Sequence, residues 1–549
     1  MSVDAQHSEN GEAPPEVPID APPTGRGRVG SATPADILAA RELATRFRMP
    51  LVDLAVVGIN PEATKHIPLR VLERVGAIPF AFEGDSLFVA ITDPENVHGI
   101  DELRLASKHP VQFAIAPEED IQLEIRRLSR ANEAFNTVLD DDLVPVEEAD
   151  DLEADDGITD GPMVRLVNSI IFQAAEEGAS DVHFEPQEDA VIIRFRVDGV
   201  LRIAQRVPRK FLSGMVTRLK VLAKLDIAER RKPQDGRISL DAQAAGRLLD
   251  VRVATLPTVE GESVTMRLLD KSRTPPTLEE LGLTEEMRTQ FHEIVSKPTG
   301  ALFVTGPTGS GKSTSLYAAL AELNSPEINV ITVEDPVEYR LAGIEQVQIN
   351  PRAGLLFSTA LRSILRSDPD VVMVGEIRDV ETAKISIESA LTGHFVLSTM
   401  HTNDAPGTIT RLNEMGVEPF LTASAISAVL AQRLARKLCT SCAEAFEPSE
   451  AELRAARVSE DQFEQYKGVT FRRPVGCPRC SNSGYRGRVG IFQLLRMSDE
   501  LESLVASGAT RDVLEKAAMD NGMRPLWEDG LLKVRTGITS VEELARVLV

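Results

Sequence analysis

The sequence predicts a multidomain α/β protein, and three features carry that prediction. From about residue 276 to 430, short apolar runs alternate with segments of helical periodicity, the pattern of a parallel sheet covered by helices. One of these runs, Leu302-Phe303-Val304, ends in a glycine-rich turn that leads directly into a helical face. Upstream, strands with alternating apolar and polar residues gather over 191–269, which places an α+β domain ahead of the parallel core. At 549 residues the chain has room for about three or four domains. A hydrophobic content of 42% is enough to give them cores.

The elements follow in chain order. Residues 1–32 are rich in Pro, Glu, Asp and Gly and poor in large apolar side chains, the composition of a disordered tail, and contain no apolar segment of the signal-peptide type. A small α/β domain is expected over 33–130. Ile37, Leu38, Leu43 and Phe47 suggest a helix that breaks before Pro50. Residues 87–91 and 111–115 read as strands, the first preceded by the turn signal Glu83-Gly84-Asp85, and 118–128 reads as a helix. Residues 131–160 form a linker. From Asp140 to Asp160 it carries many carboxylates and no Lys or Arg, so it repels itself and stays solvated, which favours a flexible tether over a docking site.

The second domain is expected over 161–275. Leu166, Val167, Ile170 and Ile171 share one helical face. In 191–197, Ile193 and Phe195 point one way and Arg194 and Arg196 the other, and the pattern continues past the turn Asp198-Gly199. Residues 248–254 and 263–269 read as further strands, with Arg252 and Arg267 among the apolar positions. The last domain, 276–549, holds the parallel core, a cysteine-bearing module over 437–495 and C-terminal helices over 496–549. Besides 302–304, the core strands are 330–333, 371–374 and 395–399.

Gly306-Pro307-Thr308-Gly309-Ser310-Gly311-Lys312-Ser313, followed by Thr314, is a G-x-x-x-x-G-K-S phosphate-binding loop. Triphosphate oxygens must be wrapped by backbone N–H groups, and glycine lets the backbone turn and approach closely. Lys312 is expected to reach the β- and γ-phosphates and the Ser313 hydroxyl to ligate Mg²⁺. Leu316, Ala319, Leu320 and Leu323 make the next segment a helix whose N-terminus faces the phosphates. Such a loop between such flanks predicts an NTPase.

Ligands in parallel sheets bind beyond the carboxyl ends of the strands, so the residues just past each apolar run matter most. After 330–333 comes Glu334-Asp335-Pro336-Val337-Glu338, and after 371–374 comes Gly375-Glu376-Ile377-Arg378-Asp379. ATP hydrolysis needs one carboxylate to hold Mg²⁺, usually through water, and another to orient the attacking water. Glu376 is expected to serve the metal and Glu338 the water, although the local sequence barely separates Glu338 from Glu334. Past Thr399 stands His401, placed to sense the γ-phosphate or to serve structure, and His394 at the start of the same strand reads as a structural hydrogen-bonding residue.

All four cysteines lie in two C-x-x-C pairs, Cys439/Cys442 and Cys477/Cys480. Each pair can clamp two vertices of a tetrahedral Zn²⁺, leaving no open position, so the expected site is structural, with redox disulfides as the rival. The long spacing between the pairs leaves room for a helical insert over about 449–466. The net charge is −24, from 60 basic and 84 acidic residues, which disfavours nonspecific binding to nucleic acid or anionic lipid. No apolar run is long enough to span a membrane. A cytosolic chain is expected, with any membrane contact made through partners.

Together these blocks resemble one family, the secretion ATPases of type II secretion and type IV pilus assembly. Ala179-Ser180-Asp181-Val182-His183-Phe184-Glu185-Pro186 and Arg194-Phe195-Arg196-Val197-Asp198-Gly199 look like the opening of its second N-terminal domain, followed by Lys232-Pro233-Gln234-Asp235-Gly236-Arg237. Then come the phosphate loop, the acidic box 334–338, the run 365–379 and a histidine box from Thr392-Gly393-His394 through His401-Thr402-Asn403-Asp404-Ala405. The resemblance covers about 33–549. It implies a RecA-like P-loop NTPase core behind a PAS-like α+β domain, a small α/β N-terminal domain and a tetracysteine zinc module. It implies that Glu338 is the catalytic glutamate, that Glu376 is an atypical Walker B acid, and that Arg237 and Arg252 of the preceding domain reach the γ-phosphate.

The resemblance further implies a homohexameric ATPase at the inner face of the cytoplasmic membrane. There it would act on an inner-membrane platform protein to add pilins to a type IV pilus, with type II secretion as the alternative. The tetracysteine insert, and the N-terminal segments Met49-Pro50-Leu51-Val52-Asp53-Leu54 and Ala90-Ile91-Thr92-Asp93-Pro94, resemble the assembly and secretion branches rather than the retraction branch. Two features depart from the family. No Arg-Leu-Gly segment opens the N-terminal domain, so cyclic di-GMP is not expected as a ligand. Gln493 stands where the family usually has Glu, which touches an ion pair expected near the zinc module. A nucleic-acid translocase, from another class, is disfavoured by the charge and by the lack of a basic stripe laced with aromatics.

Overall fold

Apolar runs become strands here wherever two helical layers can cover them, and exposed faces become strands only where a neighbour holds them. A computed structural model describes residues 34–128 apart from 58, 61–62, 84, 123 and 126–127, together with 162–242, 247–270 and 275–548. The expected tail over 1–32 and the linker over 131–160 lie outside the described residues. The described residues divide into two compact units, the first built on those within 34–128 and the second on most of the remainder.

In the first unit, β1 (Ala77–Glu83) and β2 (Ser86–Ile91) form a hairpin, and β3 (Val111–Ile115) runs parallel to β2. The predicted helix at the start is present over Pro34–Phe47, and residues 118–122 are helical. Ile78, Leu87, Val89 and Ile115 are fully buried at the centre of the unit.

The second unit begins with a six-stranded antiparallel sheet. Its strands are β4 (Ala179–Pro186), β5 (Ala190–Val197), β6 (Val200–Pro208), β7 (Gln234–Ala242), β8 (Arg247–Thr258) and β9 (Gly261–Asp270), in the order β6-β5-β4-β9-β8-β7. Helices Pro162–Glu176 and Leu212–Leu222 accompany it. Leu166, Val167, Ile170 and Ile171 are all buried, as their shared face requires.

The core sheet follows. Its strands are β10 (Gly300–Thr305), β11 (Val330–Glu334), β12 (Glu345–Gln348), β13 (Val371–Val374), β14 (Phe395–Met400) and β15 (Ile426–Leu438). After β15 the chain makes a small ribbon of β16 (Glu444–Phe446) and β17 (Phe471–Arg473), then returns as β18 (Tyr485–Arg496). The sheet order is β12-β11-β13-β14-β10-β15-β18, parallel throughout except that β18 runs antiparallel to β15. Every residue of β10, β11, β13 and β14 is buried, which is why these strands read as continuous apolar runs. Between the cysteine pairs stand a short helix, Glu450–Ala455, and a 3₁₀ segment, Glu460–Tyr466.

The register sets the site. Thr305, last in β10, pairs with Met400 of β14 on one side and with Ala431 of β15 on the other. The turn that leaves β10 is therefore flanked by His401 and Gln432.

Candidate active site

The phosphate loop is held from both neighbouring strands. Thr305 Oγ1 accepts from the Thr402 N–H at 3.0 Å and lies 3.0 Å from the Met400 carbonyl. On the β15 side the buried Gln432 side chain donates through Nε2 to Ser310 O at 2.7 Å, and its Oε1 accepts from Ser315 Oγ at 2.8 Å. One amide thus grips the loop and the first turn of the helix Lys312–Leu323. Gly306 sits at φ +148°, and a Cβ there would stand 2.5 Å from Gln432 O, so this position requires glycine.

The loop fits a phosphate chain. Helix Lys312–Leu323 has Gly311 at its N-cap and no side chain capping its first N–H groups. Ser310 Oγ is buried without a hydrogen-bond partner. Lys312 is buried, and its ammonium donates to Gly306 O at 2.9 Å and Pro307 O at 3.1 Å, carbonyls of the loop itself. Burial lowers the pKa of Lys312, the charge of Glu376 opposes this, and Arg433 adds to the lowering. Pro307, Thr308, Gly309 and Ser313 are exposed along the outer side, and Thr314 is half-buried.

Glu376, two residues past β13, is mostly buried, pairs with Arg378 and lies 3.7 Å from His401 Nε2. His401 itself is half exposed. Lys312, Glu376 and His401 therefore gather at the carboxyl ends of β10, β13 and β14. His394 is at the other end of β14, where its carbonyl accepts from the Gly300 N–H at 3.2 Å and its Nδ1 lies 3.1 Å from Ser389 O.

The two glutamates of the acidic box have opposite surroundings. Glu334 is buried and saturated: Tyr317 donates to Oε2, while Thr332 Oγ1 (2.6 Å) and Gln346 Nε2 (3.1 Å) donate to Oε1. Glu338 lies on the following loop. Burial raises its pKa, Arg252 pulls it back down, Glu334 raises it further and Arg267 lowers it. The charges of Arg252 and Arg267, both on the antiparallel sheet, thus act on Glu338.

Those arginines form a row. Across the sheet, Arg237 of β7 pairs with Arg252 of β8, Arg252 with Arg267 of β9, and Arg267 with Asp181 of β4. Asp181 holds Arg267 Nε at 3.1 Å and Arg196 Nε at 3.6 Å. Three like charges directly opposite one another repel. Burial, followed by the charge of Arg237, lowers the pKa of Arg252. A bound polyanion would relieve that repulsion.

Sequence reasoning missed Gln432, Arg433 and Tyr317. Arg433 donates to Asn403 O at 3.0 Å and so ties β15 to the loop after β14. The available signal was a lone amide after the apolar run 428–431, since a buried polar side chain must find partners. Gln493 lies in the core sheet on β18, where its Oε1 accepts from the Ala405 N–H at 3.0 Å at the start of helix Ala405–Glu414.

The four cysteine sulfurs all lie within 4.8 Å of one another and none is in a disulfide. Cys477 and Cys480 Sγ are 3.7 Å apart, close to the ~3.8 Å edge of a tetrahedron with metal–sulfur bonds of about 2.3 Å. Backbone N–H groups support the sulfurs, from Gly476 to Cys442 Sγ at 3.4 Å and from Cys477 to Cys480 Sγ at 3.2 Å. The donor set suits a tetrahedral thiophilic metal.

A phosphate loop on a parallel sheet, with carboxylates and a histidine at the adjoining strand ends, defines a P-loop ATPase. Residues 156–546 match the family model described as Type II/IV secretion system protein, and residues 47–134 match the MshEN domain. The chain belongs to the Type II/IV secretion system protein family and is a secretion or pilus-assembly ATPase. It is 42% identical over 509 residues to the type IV pilus assembly ATPase PilB of Myxococcus xanthus, covering 91% of this chain and 89% of that protein. It is 46% identical over 468 residues to the type II secretion system ATPase E of Vibrio cholerae, covering 83% and 90%. The solved structure of the ATPase DotB of Legionella pneumophila shares the fold, with a TM-score of 0.51 at 20% identity over 69% of this chain and 93% of that one. Among the described residues, no helix is long and apolar enough to cross a membrane.

Proposed function

We propose that this chain is the hexameric motor that drives assembly of a type IV pilus by acting on an inner-membrane platform protein from the cytoplasmic side. The observation that carries the motor reading is the division of the site. The phosphate loop leaves the parallel core sheet, whereas the arginine row, whose charges act on Glu338, lies on the antiparallel sheet before it. A nucleotide touching both biases the relation between two domains, a two-state element of the kind that produces motion. The Myxococcus relative supports the pilus assignment. The Vibrio relative, at 46% identity, supports type II secretion as a second reading.

In this reading Lys312 leaves the loop carbonyls for the β- and γ-phosphates. Ser313 and, through water, Glu376 would hold Mg²⁺, which would supply positive charge to the phosphates. Glu338 orients and polarises the attacking water. Arg237 and Arg252 neutralise charge on the γ-phosphate, a task suited to a permanently charged planar fork. His401, next to Glu376, senses the γ-phosphate. Cys439, Cys442, Cys477 and Cys480 hold a structural Zn²⁺, and metal analysis of the purified protein should find about one zinc per chain. A zinc content near zero in active protein would sink that assignment.

The test is steady-state ATP hydrolysis by the purified protein beside Lys312→Ala and Glu338→Gln, with assembly state measured in the same samples. The wild type should turn over as a hexamer. Glu338→Gln should bind ATP and lose at least about 100-fold in kcat. Normal turnover by Glu338→Gln would overturn the assignment and make Glu334 the next residue to change. Deleting the gene should remove pili; loss of secreted proteins with pili intact would select the second reading.

A further inference from the structure

The Tyr317 hydroxyl bonds to both glutamate segments of the acidic box. It is fully buried in the helix Lys312–Leu323, whose first turn completes that loop. It donates its one proton to Glu334, and it accepts from the Glu338 N–H at 3.2 Å and the Tyr339 N–H at 3.3 Å. A phenol has one proton and two lone pairs, so its capacity is fully used. Gln346 completes the arrangement. Its Nε2 donates to Glu334 Oε1 at 3.1 Å and to Tyr339 O at 2.9 Å, and its Oε1 accepts from the Leu341 N–H at 2.8 Å.

The backbone at residues 338, 339 and 341 therefore hangs from one closed network. Glu334 is its buried acceptor and Tyr317 its only tie to the phosphate-loop helix among these bonds. We infer that Tyr317 is a positioning residue for hydrolysis: its hydroxyl fixes the loop that carries Glu338 to the helix that carries Lys312 and Ser313. It touches no reacting atom. It sets the carboxylate of Glu338 against the phosphate loop, where a misplacement of about 1 Å can cost about 100-fold in rate. The inference rests on the reading that Glu338 polarises the water. It also gives Glu334 a duty, that of a fixed acceptor, which accounts for two glutamates in one box.

Tyr317→Phe removes the hydroxyl and keeps the ring, which packs edge-on against Tyr339 at 5.4 Å between centroids. In the full-length assembled protein, kcat should fall about 10- to 100-fold, with KM for ATP within about twofold. The decisive readout is the double variant with Glu338→Gln. Tyr317 acts through Glu338, so adding Tyr317→Phe to Glu338→Gln should cost less than about twofold more. Unchanged kcat in Tyr317→Phe, losses that multiply in the double variant, or a parallel loss of ATP affinity would each overturn the inference. Wild-type turnover by Glu338→Gln alone would instead remove the reading beneath it. Should Tyr317→Phe not accumulate as folded protein, Gln346→Ala frees the same loop from its other side. It should show a smaller loss of kcat with the same non-additivity, and its absence would overturn the inference equally.

Discussion

The phosphate loop of the core and the arginine row of the second domain are built on opposite principles. On the core side almost every polar group is already committed: Lys312 to loop carbonyls, Gln432 to Ser310 and Ser315, Glu334 to three donors. On the antiparallel sheet of the second domain, Arg237, Arg252 and Arg267 stand opposite one another, with Asp181 at the end of the row and the charge of Glu338 acting on Arg252 and Arg267. The first side is preorganised and is costly to disturb. The second is repulsive by itself and gains from an anion. Under the proposed function, a phosphate chain would find a ready receptor in the core and a partner in the second domain that is favoured only once the phosphate has arrived, and that asymmetry would let binding energy appear as domain closure.

The sharpest way to break this comparison is at the centre of the row. Arg252→Ala should lower kcat about 100- to 1,000-fold, the usual loss when one preorganised charge donor is removed from a transition state. The same change relieves the repulsion from Arg237 and Arg267 and also removes the charge that offsets Glu338, so the nucleotide-free protein should melt within a few degrees of the wild type. A large loss of stability without nucleotide, measured by calorimetry, would show that the row is structural. On the core side the expectation inverts. Gln432→Ala strips a buried carbonyl and a buried hydroxyl of their partners, which costs about 1–3 kcal/mol of stability. ATP should bind about tenfold more weakly by titration calorimetry, with a smaller change in kcat at saturation. Unaltered ATP affinity would mean that the loop holds its shape without β15.

The same contrast explains what the sequence could reveal. Strands β10, β11, β13 and β14 were legible because both faces are buried and the residues are apolar without interruption. The phosphate loop was legible because its spacing is chemistry as much as structure. β15 was not. Its thirteen residues include Ala428, Ala431 and Ala435, good helix formers, and pairing with β10 and β18 makes them a strand. β7 is an edge strand defined by its ladder with β8. The arginine row was hidden for a related reason. Arg237, Arg252 and Arg267 are distant in sequence, and only strand register places them side by side. Glu334 and Glu338 share one short box, and what distinguishes them is a tyrosine on another element.

The smallest effect concerns the charge of Glu338 in the absence of nucleotide. Burial raises its pKa above the ordinary carboxyl value, and the opposing pull of Arg252 does not cancel the shift. A group that must be ionised to polarise water then places the acid limb of kcat/KM above the normal glutamate range. Removing the Arg252 charge should move the limb further up. A limb that moves down in Arg252→Ala would show that the arginine does not act on Glu338. For stability the sign is the reverse of a salt-bridged acid. The folded state holds this proton more tightly than the unfolded one, so the contribution is fully present below the unfolded pKa and is lost as pH rises through the folded value. At neutral pH the ionised Glu338 therefore weighs against the apo fold, and Glu338→Gln should melt slightly later, by about a degree. That advantage should vanish in acid, where the wild-type carboxyl is already neutral. An advantage that persists at low pH would trace to packing and not to the charge of Glu338.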